Sequence, residues 1–320
     1  MLNYIGKLQR RLYKTKYYAS RAYLSLLPFS LIKRNLADVL AEYRRLPENE
    51  QHAIARKVAY YNQLSGSQKI AGDLGFVGAF QNNHNSAYFY DLAQYLRYFP
   101  EHTPFAYIFG DVTHIPEQPS IVKSRPIADN NHNSVLLKLD SVRHFYTVAD
   151  PFLYADKKDL MVWRGAAHQS HRMAFLQQFY AHPLCDVKCV HKKSANQPYF
   201  GKFMSIREQL RHKFVLSMEG NDVATNTKWI MASRSLAVMT TPKFETWLME
   251  GLLQPDVHFV HVEDDYANLD EKLAFYLAHP QAAEKIIHNA NQWISQFFNR
   301  KQELITAVLV LQKYFECTER

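Results

Sequence analysis

Three short stretches hold residues whose types and spacing could handle a phosphorylated ligand. The first, Ser217-Met218-Glu219-Gly220-Asn221-Asp222-Val223-Ala224, puts a glycine where a strand turns into a helix. Backbone there can approach a phosphate closely, and the first N–H groups of the following helix favour negative charge. Gly220, Asn221 and Asp222 form the turn, Lys228 lies one turn into the helix, and Ser233 and Ser235 stand near its end. The same residues also suit a plain strand-to-helix turn with an Asn or Asp cap. The second stretch, Trp163-Arg164-Gly165-Ala166-Ala167, repeats the logic. Arg164 could hold a diphosphate with two charge-assisted hydrogen bonds while the small residues leave room, or it could form an interdomain salt bridge. Arg172, at the start of the next helix, could join it or pair on the surface. The third stretch is Phe109-Gly110-Asp111. A carboxylate after a buried strand could take a proton from a hydroxyl, or simply cap its loop.

These groups must be positioned by elements, and the apolar pattern supplies them. Helices are expected over 36–64, 88–98, 172–180, 224–232, 268–277, 281–297 and 300–315. Strands are expected over 105–109, 135–139, 144–148, 160–163, 187–190, 214–218, 236–239 and 257–262, with a Pro-containing loop from 112 through 126. Strand–helix alternation with short connections predicts an α/β chain with parallel sheets covered on both faces. Residues 149–158, with Asp150-Pro151, read as a linker. The expected organisation is a basic aromatic segment 1–35, a Rossmann-like domain 36–150, a second Rossmann-like domain 151–297 and a C-terminal helix 298–320. Ligands of such sheets sit beyond the carboxyl ends of strands, which selects Asp111, Arg164-Gly165 and residues 219–225.

Composition narrows the class. Of 320 residues, 47% are hydrophobic and 21% charged, the balance of a soluble globular chain long enough for two cores. The net charge of +8 favours anionic partners. It is concentrated in residues 1–37, which carry eight Lys or Arg and no acid; the near-neutral remainder gives no nucleic-acid signal. Rings and aliphatics at spacings of three and four interleave those bases. The segment reads either as a basic amphipathic helix on an anionic lipid surface or as a helix packed on the body. No apolar run reaches the roughly 18 residues of a membrane span, and no signal-peptide pattern is present. Three cysteines, Cys185, Cys189 and Cys317, argue for a reducing compartment, so a cytoplasmic location is expected. Cys185 and Cys189 beside His182 and His191 read as buried thiols rather than a metal cluster, because the spacing is not C-x2-C. No GxGxxG, Walker loop, HExxH or GxSxG occurs, which disfavours dinucleotide oxidoreductases, epimerases of that fold, P-loop kinases, zinc proteases and serine hydrolases.

Residues 163–172 (WRGAAHQSHR) and 219–242 (EGNDVATNTKWIMASRSLAVMTTP) resemble the two signature blocks of glycosyltransferase family 90. The likeness spans about 160–297 and includes Trp247, Leu253, Pro255, His258, Val260, Val262, Asp265, Asn268 and Leu269; residues 1–100 show none. The resemblance implies a GT-B fold, two Rossmann-like domains facing a cleft with the donor on the second. It implies inverting transfer from a UDP-sugar without a required metal or other cofactor. Asp111 matches the family's catalytic base, Arg164 its diphosphate arginine and Gly220 its turn glycine. Gly165, Arg172, Asn221, Asp222, Lys228, Ser233 and Asp265 complete the expected donor side. Asn226 stands where the animal enzymes have arginine, so the chain looks like the bacterial branch and the donor sugar does not carry over. The expected acceptor is a lipopolysaccharide or capsular glycan at the inner membrane face, with residues 1–35 on anionic lipid and no nucleic acid bound. The competing reading is a non-enzymatic basic protein of nucleic-acid or membrane surfaces.

Overall fold

The computed structural model describes residues 7–82, 86–142 and 145–320. The chain forms two compact units. One comprises Met1–Tyr13, His144–Lys243 and Glu250–Gln296; the second comprises Lys14–Arg143, Phe244–Met249 and Phe297–Arg320.

The N-terminal helices are α1 (Lys7–Ala19), α2 (Tyr23–Leu26), α3 (Phe29–Ile32), α4 (Leu36–Arg44), α5 (Glu48–Tyr61) and α6 (Ser86–Leu96). The expected helix 36–64 is two helices. Pro47 disfavours helical backbone at Leu46, so the chain stops and restarts. The Asn35 side chain accepts from Ala37 N–H and caps α4. Within the basic segment, residues 17–25 pack on α6, while residues 1–6 lie outside the described residues. Tyr17 is buried, and its hydroxyl donates to Asp91 Oδ1 at 2.6 Å.

Strands β1 (Tyr107–Ile108), β2 (Ser120–Val122) and β3 (Ser134–Leu136) form a parallel sheet in that order, with Ile108 opposite Val122 and Ile121 opposite Val135. The expected strand 105–109 divides: Pro104–Phe105 pairs antiparallel with Gly75–Phe76, and only β1 joins the parallel sheet. Ser120–Val122 lies inside the stretch expected as loop. Residues 145–147 form no strand.

The first unit is a doubly wound sheet. Its elements are β4 (Lys158–Gly165), α7 (Ser170–Phe179), β5 (Cys185–Cys189), α8 (Ile206–Gln209), β6 (His212–Leu216), α9 (Thr227–Met231), β7 (Leu236–Met239), β8 (Val260–His261), α10 (Leu269–Ala278) and α11 (Pro280–Ser295). The five strands are all parallel, in the order β8-β7-β6-β4-β5. Met161, Trp163, Val187, Phe214, Leu216, Val238 and Val260 supply the strand side of one core, against Phe175 and Leu176 of α7 and Leu269 and Leu273 of α10. Cys185 and Cys189 face that core, and burial pushes the Cys185 thiol up to about 12. The stretch expected as a linker is fixed structure: Lys157 Nζ lies 2.7 Å from Asp150 Oδ2, and both side chains are buried.

The chain then returns to the second unit with α12 (Arg300–Glu316). The helix expected over 300–315 is α12, and it belongs to this unit. Tyr314 is fully buried, accepts from Ala106 N–H and donates to the Pro119 carbonyl, so α12 ties together the residues that enter β1 and β2. Trp247 stacks on Tyr61 at 3.9 Å and donates to Glu303 of α12. Among the described residues no helix is long and apolar enough to cross a membrane.

Candidate active site

In a doubly wound sheet the strand order reverses at one place, and helices leave neighbouring strands there toward opposite faces. The crevice this opens, beyond the carboxyl ends, is where such sheets take ligands. Here the reversal lies between β4 and β6. The chain leaving β4 is Ala166–Gln169, and the chain leaving β6 is Ser217–Asn226.

Arg172, in the first turn of α7, joins these two segments. Its Nη1 donates to the Ala166 carbonyl at 2.9 Å, its Nη2 to Met218 at 2.8 Å and its Nε to Glu219 at 2.8 Å. The guanidinium stands 5.6 Å from the centre of the Trp163 ring. Burial draws its pKa below the usual arginine range, though the group stays cationic at neutral pH. Among the described residues no carboxylate pairs with it. A cation in the first turn of a helix also opposes the helix dipole. The crevice therefore holds a positive charge that the protein compensates only with carbonyl oxygens.

The two site glycines make room for this arrangement. A Cβ on Gly165 would stand 2.4 Å from Trp163 Cζ2, so a side chain there would displace the ring under Arg172. A Cβ on Gly220 would meet Arg172 Nη2 at 3.2 Å. Asn221 accepts from Gln169 Nε2 at 2.9 Å, and His171 Nε2 lies 2.9 Å from the Glu219 carbonyl. Glu219 Oε1 accepts from Lys243 N–H beyond β7. The Gly220 N–H donates to the Asp222 carbonyl, so it is taken up within the turn rather than presented outward. Asp222 is buried, and α9 begins at Thr227, three residues later than the expected helix.

Four expected donor residues are placed elsewhere. Arg164 lies on the β4–β5 edge: its guanidinium bonds the Asp186 carboxylate and the carbonyls of Trp163, Asp186 and Lys202. It fixes the neighbouring strand and the 201–202 loop. Lys228 is fully buried, 3.0 Å from Glu250. Helix α9 turns it into the unit, where Glu250 compensates an ammonium that would be costly to bury alone. The Ser233 hydroxyl donates to Ile230 and accepts from Ser235 N–H, which closes the end of α9. Asp265 is exposed and accepts from Ala267 N–H in its own loop.

In the second unit, Asp111 follows the carboxyl end of β1. Gly110 has φ 108°, a conformation that side-chain-bearing residues rarely adopt, and it turns the chain out of the strand. Asp111 is about one-third exposed, and its Oδ1 accepts from Lys123 Nζ at 2.6 Å. Lys123 is fully buried and directly follows β2, the parallel neighbour of β1. Ser124 clamps the loop by accepting from Val112 N–H. The arrangement is a carboxylate about one-third exposed and held by a buried cation, a group able to receive a proton from a bound hydroxyl.

Sequence reading missed Gln169, His171, Trp163 and Lys123 as parts of these sites. Only Trp163 had a usable signal, since an indole two residues before a glycine on one strand face needs that glycine's open side.

A parallel sheet whose strand order reverses between β4 and β6 offers a ligand crevice that many doubly wound domains share. Comparison with known proteins specifies the class. The model of glycosyl transferase family 90 matches residues 141–318. The O-glucosyltransferase LpsA of Dichelobacter nodosus is 50% identical over 313 residues, 98% of each chain. The chain therefore belongs to glycosyltransferase family 90 and is a glycosyltransferase. The C-terminal domain of LpcC, a group 1 glycosyl transferase of Francisella tularensis, overlays 49% of this chain and 97% of its own, with 12% identity and a TM-score of 0.33, too low to define a shared fold.

Proposed function

We propose that this chain is a GT-B enzyme that moves a sugar, with inversion, from a UDP-sugar to a hydroxyl of a lipopolysaccharide or capsular glycan. The observation that carries the donor half is Arg172: a half-buried cation at the sheet's switch point whose hydrogen-bond partners are all carbonyls. A diphosphate supplies the negative charge that this position lacks. Asp111 is the proposed base. It takes the acceptor proton as the acceptor oxygen bonds to the anomeric carbon. The bond from that carbon to the β-phosphate oxygen breaks on the opposite face, and its electron pair leaves with UDP. Arg172 and the α7 N-terminus stabilise that developing charge, so the reaction is proposed to run without a divalent cation. Gly165 and Gly220 keep the space for Arg172, Gln169 and Asn221 hold the two segments together, and Lys123 positions Asp111.

Glucose is the sugar we propose first, on the name of the Dichelobacter relative. The acceptor is proposed to be a glycolipid at the cytoplasmic face of the inner membrane, reached with the basic N-terminal segment. The test is a thermal-shift panel of UDP, GDP, CMP and their sugars, followed by UDP release with EDTA present. Stabilisation by UDP and UDP-glucose is expected. Equal response to all three nucleotides, or none to UDP, overturns the donor assignment.

A further inference from the structure

We infer that the α2–α3 turn is a part of the N-terminal segment that enters a membrane, and that its ligand is the surface of an anionic bilayer. This inference rests on the proposed glycolipid acceptor. Residues 17–25 are tied to α6. Tyr17 bonds Asp91, Arg21 donates to Gln94, Tyr23 accepts from Arg97, Ser25 contacts Tyr90, and Leu24 is buried against Phe89 and Ala93. The next residues turn outward. Leu26 is 76% exposed, Leu27 45% and Leu31 71%. Leu26 and Leu31 are the two most exposed large apolar side chains among the described residues. Pro28 separates the two short helices, so the leucines project from a turn whose base is fixed.

The charge around them indicates the occupant. Lys33 and Arg34 follow directly and are exposed. Among the described residues neither pairs with a carboxylate. Residues 1–37 contain no acid to offset them. Exposed leucines beside unpaired bases match an interface in which apolar side chains enter the acyl boundary and cations meet lipid phosphates. The fixed base of the turn means little further ordering is needed on contact.

Flotation of the full chain with phosphatidylcholine vesicles, and with vesicles containing phosphatidylglycerol, tests this. Wild type is expected to float with the anionic vesicles. The exposed double variant Leu26→Asp/Leu31→Asp is expected to lose about tenfold or more in vesicle affinity and to keep its melting temperature and its response to UDP. Lys33→Gln/Arg34→Gln is expected to weaken anionic binding and flatten its salt dependence. Leu31→Trp is expected to shift its fluorescence to the blue on anionic vesicles. Unchanged flotation of the leucine variant overturns the inference. So does conversion of a wild-type dimer to a monomer by that variant with flotation intact, since the turn would then be a contact between copies. Equal or better binding of single-stranded DNA through the same leucines also overturns it. The UDP response is read separately, so failure here leaves the proposed reaction standing.

Discussion

Arg172 Nη2 and residue 220 sit so close that a single methyl group at 220 would stand 3.2 Å from the guanidinium. The glycine is there for the arginine, since Gly220 is absent from the residues of positive φ. Gly220→Ala is therefore expected to push Arg172 by a few tenths of an ångström and weaken UDP binding several-fold. Gly220→Val is expected to weaken it more. Isothermal titration with UDP checks the order; equal affinities in all three proteins would contradict it.

The two arginines of the WRGAAHQSHR block are expected to separate. Arg172→Gln removes the uncompensated cation and is expected to cost about 2–3 kcal/mol of UDP binding. Arg164→Gln breaks the Asp186 pair and is expected to lower the melting temperature while the folded fraction still binds UDP. A UDP titration beside a thermal melt of each variant distinguishes this from the reverse assignment.

Lys228 gives a stability test with no expected effect on chemistry. Lys228→Met leaves Glu250 buried without its ammonium, and a loss of about 3–5 kcal/mol is expected. Adding Glu250→Gln is expected to restore much of it. Loss of UDP binding in a folded Lys228→Met protein would return this lysine to the donor site.

Asp111→Asn is expected to lower transfer about a thousandfold with UDP affinity unchanged. Lys123→Met removes the cation that holds Asp111 Oδ1, so kcat is expected to fall with UDP affinity unchanged. An unchanged kcat in the folded variant would mean that Lys123 only supports the fold.

Burial pushes Asp91 up to about 7, although the Tyr17 hydroxyl and Ser141 N–H pull it down; nearby Asp140 adds to the rise. The folded state thus holds a proton that the unfolded chain releases near the ordinary carboxylate range, around 4. Stability from this group is fully present below that range, falls as pH rises from about 4 to 7, and is level above. Melting temperatures between pH 5 and 8 are expected to fall with pH in wild type and to lose that component in Asp91→Asn.

The runs that became β4 and β6 were legible because a strand buried on both faces must be apolar almost throughout. Their carboxyl ends then marked the site. The choice between the two arginines was not legible. Arg164 has a partner, Asp186, on a strand that sequence cannot register against its own, and Arg172 looked like an ordinary helix-surface residue. Ser120–Val122 was hidden because three residues between prolines carry too little pattern. Lys123 became meaningful only once β2 was known to lie beside β1.

The return of α12 to the second unit also sets an order of assembly. The Val122–Leu136 sheet can form early, but the Tyr314 hydroxyl that joins Ala106 to Pro119 is made late. During synthesis the doubly wound sheet has all its strands by His261, while its neighbour still lacks a helix. Until residues 297–320 have been made, residues 14–143 lack the helix that buries Tyr314 beside Ala106 and Pro119.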